Sequence, residues 1–142
     1  MSDSTFNSIT GTSFVAVSDL MTVGTGSAGQ IQFSANLSIA SNADFPTISS
    51  PESNIEMKWQ YRTVGGTFAD VTTAVNSDPD VNVTYVSRLD KYFVSNGSVN
   101  CSPIKSGLSA STDYEVQLFA RRTSVSTAKT MFFIGTASAV GS

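Results

Sequence analysis

Asp78-Pro79-Asp80, with Asn76 and Asn82 on either side, is the densest group of oxygen ligands in this sequence. Hard cations such as calcium take ligands of this type. An EF-hand loop would also need a central glycine and a bidentate glutamate at its end, and the segment has neither. It reads as an acidic turn. Histidine is absent and Cys101 is the only cysteine. Zinc, haem and iron–sulfur sites therefore lack their ligands, a serine nucleophile lacks its usual base, and no internal disulfide can form. Neither a metal nor a covalent cofactor is expected. Cys101 sits between Val99 and Ile104 and reads as a small core residue. It would act as a nucleophile only beside a base that lowers its pKa.

Glycosidases use two acids about 5 to 9.5 Å apart in a cleft. Glu56 and Glu115 are the obvious pair, but each belongs to an alternating run that also carries a cation, Lys58 in one and Arg121 in the other. Cross-strand ion pairs on a solvated face are the simpler reading, each worth under about 1 kcal/mol. Phe119 is the one clear aromatic on that otherwise polar face, which suits a protein contact or, less simply, sugar stacking. The sequons at Asn36, Asn82, Asn96 and Asn100 read as chance matches in a chain with Ser or Thr at 40 positions. No active site of an enzyme is expected.

These residues must be held by strands, because the dominant period is two. Ile31, Phe33, Ala35, Leu37 and Ile39 alternate with polar residues, as do Ile55, Met57, Trp59 and Tyr61, and Tyr114, Val116, Leu118 and Ala120. Each run puts one face on a core and one towards solvent. Strands are expected over 12–23, 30–40, 55–64, 67–75, 81–88, 91–95, 98–104, 113–122 and 129–138, with no convincing helix. Val64-Gly65-Gly66-Thr67 and Ser95-Asn96-Gly97-Ser98 should close hairpins. With a two-residue loop, the second would set Val94 opposite Val99 and Tyr92 opposite Cys101. Pro103 lacks a donor, so its strand should lie at a sheet edge or end there.

The composition agrees. Nine Phe, four Tyr and one Trp are too much apolar surface for a disordered chain. The length of 142 residues suits one domain, 1–142, with residues 1–12 as an N-terminal arm. A net charge of −3 and the lack of a basic patch argue against nucleic acid. No apolar run approaches the ~20 residues of a membrane span. Met1 to Thr5 lacks the basic start and apolar stretch of a signal peptide.

Three local patterns together resemble the fibronectin type III or immunoglobulin-like sandwich. They are Trp59 flanked by Met57 and Tyr61, the hairpin from Tyr61 to Phe68, and the run Leu108 to Val116. In that last run the resemblance implies a corner. Leu108 plugs the end of the core, while Tyr114 buries its ring and bonds its hydroxyl to nearby backbone. The fold implied is an all-β, two-sheet antiparallel sandwich. Its core is expected to include Phe33, Leu37, Met57, Trp59, Leu108, Tyr114, Val116 and Leu118. The sequence departs from the family pattern in a long 40–54 loop, an extra strand at 81–88 and a hairpin tip that is not Pro-Gly.

Charge is the most informative feature. Charged residues make up 13% of the chain, about half the usual fraction of roughly 25%. Residues 4–18, 20–43 and 130–142 carry none. Within the last stretch Met131, Phe132, Phe133 and Ile134 are apolar on both faces of a strand, which would be an aggregation hazard if left bare. They are the candidate assembly contact, with the uncharged arm at 4–14 crossing a neighbour. The competing arrangement is internal, the arm folding back over its own sheet. Low charge, abundant Ser and Thr and an immunoglobulin-like sandwich resemble the virion proteins of tailed bacteriophages. The resemblance implies a head-decoration or tail accessory subunit that contacts other copies of itself and other virion proteins. The alternative is an adhesion or carbohydrate-binding module that meets a host surface glycan or receptor through the 40–54, 95–98 and 123–129 loops.

Overall fold

In a computed structural model, residues 1–9, 11–39, 55–72, 75–76, 82–86, 91–95, 98–122 and 133–142 are described. They contain strands and no helix. In chain order the strands are β1 (Ser2–Asp3), β2 (Val15–Ala16), β3 (Met21–Gly24), β4 (Ile31–Ile39), β5 (Ile55–Thr63), β6 (Ala69–Asp70) and β7 (Val75–Asn76). There follow β8 (Asn82–Val86), β9 (Lys91–Ser95), β10 (Ser98–Asn100), β11 (Ile104–Lys105), β12 (Asp113–Arg122) and β13 (Phe133–Gly141).

One antiparallel sheet runs β1–β13–β4, with β10 and β11 both on the far side of β4. In the other, β12 lies between β5 and the short pair β2 and β3, while β5 carries β6 and β7 on its other edge. β8 and β9 pair with each other in a separate ribbon. The two sheets pack face to face as an all-β sandwich.

Period two decides what lies between them. Ile55, Met57 and Trp59 of β5 and Tyr114, Val116, Leu118 and Ala120 of β12 meet Ile31, Phe33, Ala35 and Leu37 of β4, all buried. Of the eight residues expected in the core, seven are buried, and Leu108 packs half-buried against its end. The Trp59 ring lies 5.0 Å from Phe33, centroid to centroid. Its Nε1 donates to the Cys101 carbonyl at 3.0 Å, so a β5 side chain bonds backbone of the opposite sheet. The corner forms as expected: Tyr114 is buried and its hydroxyl accepts from the Ser109 amide at 3.1 Å.

The Gly65-Gly66 turn closes the β5–β6 hairpin, with Gly65 at φ 77° and the Gly66 amide donating to Thr63. The second expected hairpin does not form. β10 pairs with β4, placing Val99 opposite Leu37, and β9 pairs with β8, placing Val94 opposite Val83 and Tyr92 opposite Tyr85. Cys101 exchanges backbone hydrogen bonds with Ala35 instead of facing Tyr92.

Three expected strands are interrupted, each for a local reason. The 12–23 strand breaks at Ser18, where the amides of Val17 and Ser18 both point at the Leu118 carbonyl, two residues against one as in a β-bulge. The Ser18 hydroxyl then accepts from the Leu118 amide. The 67–75 strand divides into β6 and β7, which share β5 with registers two residues apart. The 98–104 strand is broken at Pro103, whose missing donor removes one ladder bond while β11 keeps the β10 register. It lies at the edge of its sheet among the described residues, as the proline required.

Candidate functional site

The two sheets present outer faces of opposite character. On the β5–β12 face three outward acids, Glu56, Glu115 and Asp70, are each held by a cation, while Asp113 at the start of β12 is exposed. Arg121 Nη2 lies 2.5 Å from Glu56, Arg62 Nε lies 2.5 Å from Glu115, and Lys58 lies 3.0 Å from Asp70. The strand register sets the first two pairs, with Arg121 opposite Glu56 and Glu115 opposite Arg62. The two glutamates therefore serve separate arginines. Gln60 donates to Asp70 at 2.8 Å. That hydrogen bond and the Lys58 ammonium hold the Asp70 carboxyl below its ordinary value of 3.8. Its contribution is present above that value and fades as the pH falls through the lowered one; at an exposed site it is small.

Aromatics fill the gaps in this lattice. The Phe14 ring carries Lys58 Nζ at 4.3 Å and the Arg121 guanidinium at 4.4 Å, and Phe68 carries Arg62 at 4.3 Å. Phe119 meets Phe68 edge-on at 6.0 Å. Phe119 is therefore one of three rings, each half-buried, and not a lone exposed one. Phe14 and Phe68 were not legible as its companions, because they come from segments far away in sequence.

The β13–β4 face carries no charge on the outward residues that the structure describes. Three rows cross it. Ser2, Ser138 and Ser34 stand side by side; Thr136, Asn36 and Asn100 form a second row; Val140, Gln32 and Ile104 form a third. Val140 is 61% and Ile104 60% exposed. The charged residues of these strands, Asp3 and Lys105, sit at the alternate register, opposite buried Ala137 and Ile31.

Of the four residues expected in an assembly contact, Met131 and Phe132 lie outside the described residues. Phe133 is buried in the core at 6% exposure, and the Ile134 backbone pairs with Ser38. Gly135 follows with φ 146°, where a Cβ would stand 2.1 Å from the Asn36 carbonyl oxygen, so only glycine fits. The far edge of β13 is covered from within the chain at residues 137–139: Ser2 and Asp3 pair with Ser138 and Ala137, and Met1 exchanges backbone bonds with Ala139. The acidic turn at Asp78 and Asp80 also lies outside the described residues, and among those described no group of three or more acids and thiols could hold a metal.

Cys101 is buried at 1% exposure, and burial pushes its thiol from 9.0 up to about 11. The fold keeps the thiol neutral while the unfolded chain ionises first, so stability is expected to fall as pH rises from about 9 towards 11. Cys101→Ala should remove that slope in melts across this window, and the native thiol should ignore a thiol reagent until the chain unfolds. Arg122, inward at the end of β12, is buried at 2%, and desolvation lowers its pKa. It follows the inward positions of β12 in strict alternation, but its type gave no reason to place it inside.

Comparison with protein-family models, with curated proteins and with solved structures finds no match to this chain. No helix among the described residues is long and apolar enough to cross a membrane.

Proposed function

We propose that this chain is a non-enzymatic structural subunit that works by protein–protein contact, of the kind that decorates the head or tail of a tailed-bacteriophage virion. One observation carries the reading: the uncharged outer face of the β13–β4 sheet, with Val140 and Ile104 bare. A soluble monomer normally intersperses charges of both signs over its surface. Among the described residues, the three ion pairs all lie on the opposite sheet. A face built from Ser, Thr, Asn, Gln, Val and Ile docks without desolvating ions, which is the costly part of burying a polar surface.

The central strands support an immunoglobulin-like lineage for the sandwich. β4 pairs with β10 and β11, and β5 pairs with β12, as the second strand pairs with the fifth and the third with the sixth in that fold. The ends are exchanged. The first strands lie beside β12 and the last beside β4, where the immunoglobulin arrangement has the reverse. The glycan-binding alternative rests on loops that fall almost wholly outside the described residues, and nothing on the described surface favours it.

The test is mass spectrometry of density-banded particles from the source of this sequence. Virion membership predicts about tens to hundreds of copies per particle, as symmetric assembly requires. Recovery only in the unassembled fraction would overturn the proposal.

A further inference from the structure

The N-terminal arm is a strap across one open side of the sandwich. Its first residues extend the β13 edge, and Asp3 then ends the strand by accepting hydrogen bonds from the amides of Thr5 at 2.9 Å and Asp19 at 2.8 Å. Beyond this turn the arm crosses to the other sheet, where the Asn7 amide donates to the Val17 carbonyl at 2.8 Å. Ile9 is buried at 2%, and Phe6 packs half-buried against the same core. The Gly11 carbonyl then accepts from the Arg122 amide at 3.1 Å, and Gly11, Thr12 and Ser13, all exposed, lead to Phe14, which anchors the chain again under Lys58 and Arg121.

The slot under this strap recognises an extended segment by backbone hydrogen bonds at two sheet edges and by two apolar plugs. Between Asp3 and Asp19 the segment carries no charge. We propose that the slot takes the arm of a second copy of this chain, so that residues 1–9 exchange reciprocally between neighbours about the exposed link at 11–13. The occupant is fixed by identity: an exchanged arm remakes every contact that the arm makes at home. The contacts therefore cancel, and the balance between closed and exchanged forms depends on the local concentration of arms. A short tether supplies its own arm at about millimolar effective concentration. Dilute chains keep their arms, and chains crowded to about 1 mM trade them. This inference rests on the strap alone and holds whether or not the chain belongs to a virion.

Met1 and Ala139 exchange both backbone bonds, so Ser2 and Ser138 form the neighbouring non-hydrogen-bonded pair, close enough for a disulfide. The double variant Ser2→Cys/Ser138→Cys should close within one chain at micromolar concentration; failure to close would mean that the strap itself is absent. The decisive sample mixes a Ser2→Cys chain with a Ser138→Cys chain, both carrying Cys101→Ala so that neither can close on itself. The two are unfolded together, refolded, concentrated to about 1 mM and oxidised. Exchange predicts a cross-linked heterodimer whose yield drops at least tenfold when the mixture is oxidised at micromolar concentration. A Ser2→Cys chain mixed with a Ser102→Cys chain reports random collision, because Ser102 lies beyond β4 from the strap. A heterodimer yield at 1 mM no higher than that of this control overturns the proposal.

Discussion

Replacing Trp59 with alanine is expected to destabilise the domain by about 3 to 5 kcal/mol, read as a shift in denaturant midpoint at unchanged slope. Three things are lost at once. The ring is fully buried, it packs on Phe33, and its N–H reaches the Cys101 carbonyl in the opposite sheet. The indole thus joins the sheets by packing and by one directed bond. Against a typical stability of about 5 to 15 kcal/mol, such a loss leaves a marginal domain. Trp59→Phe should cost clearly less, because the ring is largely retained and the Cys101 carbonyl keeps the Ala35 amide as donor at 3.0 Å. An alanine variant that melts within about 1 kcal/mol of the parent would contradict the fold, since no buried indole is so cheap to remove.

The contrast between Trp59 and Cys101 explains what sequence reasoning could reach. Trp59 was legible because alternation over β5 and β12 is local, strict and long, and the corner at Leu108 to Tyr114 lies within a few residues. The ion pairs were legible too, as outward positions on two runs expected to be neighbours, although the partners of Lys58 and Glu115 needed the register. Cys101 is legible as buried, but its neighbour is not. Asn96-Gly97 is a strong local turn signal. In the fold, the stretch from Ser98 to Lys105 instead lies along β4, with Cys101 facing the main core beneath Trp59. Turn preference is a local term, while burial against β4 depends on residues some 65 positions away, whose pairing no local pattern reports. The aromatic lattice of Phe14, Phe68 and Phe119 was missed for the same reason. The break at Ser18 was missed because a bulge leaves little trace in a Ser-rich sequence.

The two faces of β13 make the second large effect specific. Phe133→Asp is expected to unfold the domain outright. Losing the buried ring costs about 3 to 5 kcal/mol, and a carboxylate left in its place adds a desolvation penalty. Val140→Lys lies seven residues along the same strand but points outward. It should change stability by no more than about 1 kcal/mol, the range of strand preference at an exposed site. If the uncharged face is the contact surface, this harmless lysine should reduce retention on particles at least tenfold, and Ile104→Lys, across Gln32 in the same row, should do the same. Cooperative melts of both lysine variants would show that the fold is intact. Parental retention of both, with Phe133→Asp still unfolded, would leave β13 as a core strand and remove the β13–β4 face from the assembly. Phe133 would then mark only the inner face of a strand, and the charge-free C-terminus would need an explanation other than contact.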